Sequence, residues 1–326
     1  MDGGSVDVPA SGAVMTANAK PAPIRINGYS HITRLTSGGS SALFSAVRNS
    51  VGDRVAIKLI SSSFATPEAM LVFNRERNAL QALRDESGIV ALFDSGTTDR
   101  GEPYLVMPLL DRSLQDVLVN RGPLSWPRMA LVMSGIADAV ARAHSVGVLH
   151  RDIKPGNILL TQEGAPYLAD FGIARMTNNT TMTIKGVSAT LDYAPPEILD
   201  YQEPSAASDV FSLGMTCFAS LIGCAPLRPD PTTTNDVVLQ RIAVGPLPDP
   251  SDFGLSGNWL PLLRQSISRE PSLRPSAATM ATALADLVPG PAARPPPRQA
   301  PLPAAPVPGI NASGHHPPIY RARRLR

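Results

Sequence analysis

His150-Arg151-Asp152-Ile153-Lys154-Pro155-Gly156-Asn157, followed thirteen residues after Asn157 by Asp170-Phe171-Gly172, is the stretch that decides how this chain is read. It gathers carboxylates, an amide and cations on short segments punctuated by Pro and Gly, which marks turns rather than regular structure. Upstream, Val55-Ala56-Ile57-Lys58 sets a lysine at the end of an apolar strand pattern. Short strand patterns run over Tyr29 to Leu35, Leu43 to Val47, Arg54 to Ile60, Val90 to Asp94 and Tyr104 to Met107, with one helical stretch, Pro67 to Leu83, among them. After Asp111 the pattern turns helical, over Ser113 to Val119, Pro127 to Val146, Ala206 to Leu221, Asn235 to Ile242, Trp259 to Ile267 and Ser276 to Leu287. A small sheet carrying one helix followed by a larger helical region predicts an α+β fold in two lobes.

Composition narrows the function classes. The chain has 326 residues, 43% of them hydrophobic, enough for a sizeable core. The net charge of +2 hides an asymmetry: Pro289 to Arg326 holds six arginines and no acid, leaving 2 − 6 = −4 for the rest. A mildly acidic body lacks the positive field that holds nucleic acid, so none is expected there. Cys217 and Cys224, without histidine neighbours, suggest neither a zinc site nor a disulfide framework. The N-terminus opens with an acid where a secretory leader needs positive charge. The uncharged run Val210 to Leu227 is broken by Ser212, Gly214, Thr216, Ser220, Gly223 and Pro226, and reads as a buried helix rather than a membrane span. A cytoplasmic protein is the expectation. Residues 1–24 and the Pro/Ala/Arg-rich stretch 289–326 are expected to be disordered, with partner docking through the proline-rich tail, or a nucleic-acid or membrane contact, as its alternative uses.

These motifs, in this order, resemble the eukaryotic-like (Hanks-type) bacterial serine/threonine protein kinases. The resemblance covers Ile24 to Leu287 and implies a kinase domain over 25–288, with a β-rich N-lobe (25–109) and a helical C-lobe (110–288). It implies transfer of the γ-phosphoryl group of ATP to serine or threonine hydroxyls of protein substrates, with Mg²⁺, or Mn²⁺ in its place, as the metal. Such chemistry needs charge placement more than covalent help, because negative charge is spread over the moving phosphoryl oxygens. By resemblance, Asp152 orients or accepts the hydroxyl proton, Lys154 faces the γ-phosphate, and Asn157 and Asp170 are the metal ligands. Lys58 is matched to the α- and β-phosphates and Glu76 to its acidic partner, with Glu68 as the competing choice, since it stands where a carboxylate complements a helix dipole.

The phosphate-covering loop falls on Leu35 to Leu43, including Gly38 and Gly39; Gly38 is the middle glycine of the pattern, and Thr36 and Ser41 replace the outer two. Leu43, Ala56 and Leu159 are matched to the adenine, Met107 to the gatekeeper and Leu109 to the linker beyond it. Ala194-Pro195-Pro196-Glu197 resembles the APE segment, with Arg274 as the expected ion-pair partner of Glu197 and Asp209 as the anchor of the catalytic loop. Thr190 resembles the threonine directed at the catalytic pair, and Thr181 and Thr183 are the candidate self-modified positions, implying self-association for phosphorylation in trans. Two other readings are a phosphoryl-transfer-deficient scaffold and a small-molecule kinase of related fold. The first is opposed by Lys58, Glu76, Asp152, Asn157 and Asp170 together, the second by the APE-type segment with its arginine.

Overall fold

The computed structural model describes residues 24–37, 41–60, 67–171, 191–199 and 202–288. The N-lobe is an antiparallel five-stranded sheet in the order β1-β2-β3-β5-β4, made of β1 (Tyr29–Ser37), β2 (Ser41–Arg48), β3 (Arg54–Ile60), β4 (Asp94–Thr97) and β5 (Pro103–Pro108). Helix α1 (Pro67–Ala82) lies between β3 and β4 in the chain. The period-two pattern divides the sheet's faces. Val55, Ile57 and Leu59 of β3 join Tyr104 and Val106 of β5 in a small core with Phe44 and Ile26. The alternate residues Ala56, Leu105 and Met107 belong to the large core that also holds Phe73 and Leu80 of α1. Lys58 therefore points to the α1 side, where a cation can be met by that helix.

One expected strand is displaced. Val90 to Asp94 is not a strand: Ile89 and Val90 are almost fully buried, Ile89 forms an isolated bridge with Leu168, and the Val90 amide donates to the Leu168 carbonyl. The Val90 amide is thus spent on the second lobe, while the Phe93 amide still donates to Val106 of β5 at 2.8 Å, and β4 itself starts at Asp94.

In the C-lobe, a three-stranded sheet of β6 (Arg112–Ser113), β7 (Ile158–Leu160) and β8 (Pro166–Leu168) lies beside five helices: α2 (Leu114–Arg121), α3 (Trp126–Ser145), α4 (Ala206–Ile222), α5 (Asn235–Ala243) and α6 (Leu260–Ser266). Helix α7 (Ala277–Asp286) then packs on α3. Each expected C-lobe helix is present within a residue or two. Ser113 starts α2 with a capping box, its Oγ accepting from the Asp116 amide at 3.1 Å while the Asp116 carboxylate accepts from the Ser113 amide at 2.8 Å. The uncharged run at Val210 is indeed buried helix, and its hydroxyls are satisfied internally: Thr216 and Ser220 donate to the carbonyls of Ser212 and Thr216, both at 2.7 Å. No helix among the described residues is long and apolar enough to cross a membrane. The first 23 residues and 289–326, including the tail expected to dock partners, lie outside the described residues.

The expected ion pair closes the C-lobe. Arg274 grips Glu197 bidentately at 2.6 and 2.8 Å, and its remaining donors reach the carbonyls of Ser268, Ala207 and Arg269. Burial pushes the Glu197 pKa up, but the bonds from Arg274, the backbone and Ser208 outweigh it and leave the carboxyl below its ordinary value. A pair this enclosed tolerates loss of neither partner. Arg274→Ala is expected to cost roughly 3–5 kcal/mol in urea unfolding; an unchanged midpoint would show that the pair carries no such stability.

Candidate active site

Two charged groups assemble, one from each side of the cleft between the lobes. On the N-lobe side, Lys58 Nζ lies 2.8 Å from Glu76 Oε1 and 2.7 Å from Asp170 Oδ1. From α1 the side chain of Glu76, 2% exposed, reaches Lys58, as the spacing predicts. Burial works against the charge on Lys58, but Asp170 and Glu76 outweigh it and hold the ammonium above its ordinary pKa. Lys58, first, and then Lys154 among others hold the Asp170 carboxyl below its ordinary range. Burial pushes Glu76 up against the pull of Lys58.

On the C-lobe side, Lys154 Nζ lies 2.8 Å from Asp152 Oδ2, and the Asn157 amide donates to the Asp152 carbonyl at 2.7 Å and to Oδ2 at 3.1 Å. The Asp152 carboxylate is thus fixed by two neighbours from its own turn. His150 secures the turn from below: the Asp152 amide donates to Nδ1 at 3.2 Å, which leaves Nε2 to carry the proton toward the Ala169 carbonyl at 3.0 Å. That arrangement is a neutral imidazole, in keeping with a pKa lowered by burial. The His150 and Phe171 rings meet with centroids 4.6 Å apart and planes tilted by 50°, tying this turn to the segment that bears Asp170.

Asp209 on α4 anchors the arrangement. Its carboxylate accepts the amides of His150 at 2.8 Å and Arg151 at 2.7 Å, and also meets His144 Nε2 at 2.8 Å. Arg151 sits at φ 67°, a conformation that costs a residue with a side chain of order 1–3 kcal/mol. Asp170, at φ 59°, is the second such position in the site. The contact with His144 was not readable from sequence spacing, because it joins two helices 65 positions apart.

Ala56 and Met107 belong to the large core that runs through both lobes, and Leu43, Leu109 and Leu159 pack against it partly buried. The register sets Ala56 opposite Met107 and Leu43 opposite Lys58, and β7 carries Leu159 beneath. Leu35 stands apart, 42% exposed on β1. Gly38, Gly39, Thr181, Thr183 and Thr190 lie outside the described residues. Among the described residues no three His, Cys, Asp or Glu side chains form a metal cluster. Asp170 and Asn157 nevertheless suit Mg²⁺, which takes hard oxygens, keeps several waters and is held by one or two protein groups together with substrate phosphates. The Asp170 side chain is 48% exposed, so oxygen remains open to such an ion.

A two-lobed fold with a lysine bridged between a helix glutamate and a cleft aspartate, opposite a fixed Asp-Lys-Asn turn, defines the class of phosphoryl-transfer proteins. The chain belongs to the protein kinase domain family, which it matches over residues 29–284. It is 33% identical over 261 residues to the serine/threonine-protein kinase PknK of Mycobacterium tuberculosis (strain ATCC 25618 / H37Rv), covering 79% of this chain and 23% of that protein. It is 33% identical over 300 residues to serine/threonine-protein kinase PknA of the same strain, covering 89% of this chain and 68% of that one. The crystal structure of the Mycobacterium tuberculosis PknI kinase domain superposes with a TM-score of 0.62 at 21% identity, over 82% of this chain and 99% of that domain. The resemblance to bacterial serine/threonine kinases and the two-lobed fold are thereby borne out.

Replacing Asp209 with alanine strands two buried amides, each expected to cost roughly 1–3 kcal/mol. Hydrogen exchange should show His150 to Asp152 losing protection well before α4 does. Unchanged exchange in that turn would mean that Asp209 does not hold it.

Proposed function

We propose that this protein transfers the γ-phosphoryl group of ATP to serine or threonine hydroxyls of protein substrates, and that the residues just described perform it. The observation that carries this reading is Lys58 held at 2.7–2.8 Å between Glu76 of the N-lobe and Asp170 of the C-lobe. The pairing positions one cation at the mouth of the cleft with its charge secured, as phosphate binding requires.

In this reading Lys58 holds the α- and β-phosphates, and Glu76 prevents it from swinging away. The apolar body of Leu43, Ala56, Met107, Leu109 and Leu159 takes the adenine and excludes water. Asp170 and the amide oxygen of Asn157 are the proposed Mg²⁺ ligands. The ion, when bound, supplies positive charge to the phosphate oxygens. Asp152 accepts the proton of the attacking hydroxyl as its oxygen bonds to phosphorus and the bond to the departing ADP oxygen breaks. Lys154, already 2.8 Å from Asp152, is positioned both to orient that carboxylate and to meet charge on the moving phosphoryl group.

We also propose activation-loop autophosphorylation, which Arg151 supports. Its Nε and Nη1 are buried without a hydrogen-bond partner among the described residues, and burial disfavours its charge more than Asp209 and Glu203 relieve it. A phosphate on Thr181 or Thr183 would supply the missing acceptor. We further propose a reducing compartment, since Cys217 and Cys224 are free thiols.

Incubation with Mg²⁺ and γ-labelled ATP beside Asp152→Asn tests the reading. The wild type is expected to label protein serine or threonine, and the variant to lose roughly 10²-fold or more in rate while keeping nucleotide affinity within a few-fold. Activity retained by the variant would remove Asp152 from this role, and a wild type inactive on itself and on generic protein substrates would overturn the kinase reading. In a companion assay Lys58→Met is expected to weaken nucleotide binding measured by calorimetry; equal affinity would separate Lys58 from the phosphates.

A further inference from the structure

A second concavity, of about 200 Å³, opens behind the linker that joins the lobes. Its floor is apolar, formed by Leu114, Val132 and Leu160, all at most 4% exposed, and Val117 and Leu124 add to the walls. Three arginines, Arg112, Arg121 and Arg128, stand around it. Among the described residues none of the three has a salt-bridge partner. Arg112 spends one donor on the Gln162 carbonyl at 3.4 Å, and Arg121 complements the C-terminal end of α2, but neither contact supplies a counter-charge. Of the acids nearby in the chain, Asp116 caps α2, Glu163 turns to Thr161 and its own backbone, and Asp111 is exposed and forms no salt bridge with the three arginines.

The glycine of the adjoining turn fits this arrangement. Gly164, between β7 and β8, has φ +85°, and a Cβ there would overlap the Arg128 guanidinium. The bare backbone lets Arg128 lie against the turn and border the cavity rather than extend into solvent. Three unpaired cations on one concavity are unusual in a body whose first 288 residues carry 2 − 6 = −4. An anionic occupant would supply the counter-charge that the cavity rim lacks.

We propose that this cleft docks an acidic segment of the protein substrates, one leucine- or isoleucine-sized side chain entering the apolar floor while flanking carboxylates pair with Arg112, Arg121 and Arg128. The occupant's being a substrate rests on the kinase reading; the surface and its chemistry do not. A peptide suits the shape, because a single aliphatic side chain would fill the small apolar floor while the guanidinium groups at its rim could each take a carboxylate bidentately. A nucleic acid or an anionic membrane would gain nothing from the apolar floor, and the acidic body opposes both. The chain's own stretch 289–326, with six arginines and no acid, has the wrong charge. Through β6, which pairs Arg112 with Leu160 and Ser113 with Leu159, the docked segment would sit one strand away from the adenine floor without entering it.

The test is fluorescence anisotropy of the full chain with three labelled probes: Glu-Glu-Leu-Ile-Glu-Glu, the same peptide with Gly-Gly at its centre, and Lys-Lys-Leu-Ile-Lys-Lys. The first is expected to bind at least tenfold more tightly than either of the others, and Arg121→Glu with Arg128→Glu to abolish that difference. A short single-stranded DNA and phosphatidylglycerol vesicles complete the set. The proposal is overturned if the double variant binds the first peptide as the wild type does, if no binding is seen, if the Gly-Gly peptide binds equally well, or if DNA or vesicles show the larger dependence on the two arginines. No probe needs ATP, so the Asp152→Asn variant should dock the first peptide normally. Docking lost with phosphoryl transfer retained would count against the cleft alone. Transfer absent with docking retained would count against the kinase reading alone.

Discussion

The Asp209 carboxylate, 1% exposed in the middle of the C-lobe, is the group on which the catalytic turn depends. A carboxylate so buried is costly unless its lone pairs are met. Here two backbone amides and an imidazole nitrogen meet them. The cost of burying the charge and the cost of holding Arg151 at positive φ are both offset by the same hydrogen bonds: the unusual backbone turns two consecutive amides, His150 and Arg151, toward one acceptor. A helix amide could not converge this way, since successive N–H groups point along the axis to separate carbonyls. The first two amides of the turn are therefore held by a single side chain on α4, and His150, Lys154 and Asn157 then fix Asp152.

Lys58 performs the comparable task between the lobes. It is bound to a helix of one and to the segment before Phe171 of the other. The two carboxylates are not equivalent. Glu76 is enclosed and has Lys58 as its ion-pair partner, whereas the Asp170 side chain is 48% exposed at the edge of the cleft. Charge that must face an incoming polyanion is best supplied from a site where one counter-charge stays and the other faces solvent. Separation of the lobes by a few ångströms would break the contact with Asp170 first, so the geometry makes the relation between the lobes part of the site's electrostatics.

Much of this was legible before any coordinates. The C-lobe helices follow their apolar periodicity to within a residue or two, because caps such as Ser113 and Ser276 and the glycine at 223 fix their ends locally. Glu76 could be chosen over Glu68 by spacing, and Glu197 matched to Arg274 by resemblance, since both partners lie in short stretches with few alternatives. Val90 to Asp94 was misjudged for the opposite reason. An apolar run with β-branched residues is the same whether its amides pair within a sheet or across to a neighbouring lobe, and only the Val90-to-Leu168 bond distinguishes the two. The contact of His144 with Asp209 and the cleft of Arg112, Arg121 and Arg128 were not legible, because isolated polar residues become a site only when distant elements bring them together.

The most legible residues are also the strained ones. Arg151 and Asp170 occupy backbone conformations that L-residues avoid, and each sits inside a motif recognisable at sight. Glycine would relieve both positions at little conformational cost, yet each keeps a charged side chain. The stability forgone is recovered nearby, at Arg151 by the Asp209 bonds and at Asp170 by the 2.7 Å contact with Lys58. A segment that must hold a carboxylate at a fixed direction, and cannot rely on helix or strand to do so, has few residue types to choose from. That narrowness is what makes the catalytic stretch readable, while the surfaces that select partners, built from interchangeable arginines and leucines, stay silent until the chain is folded.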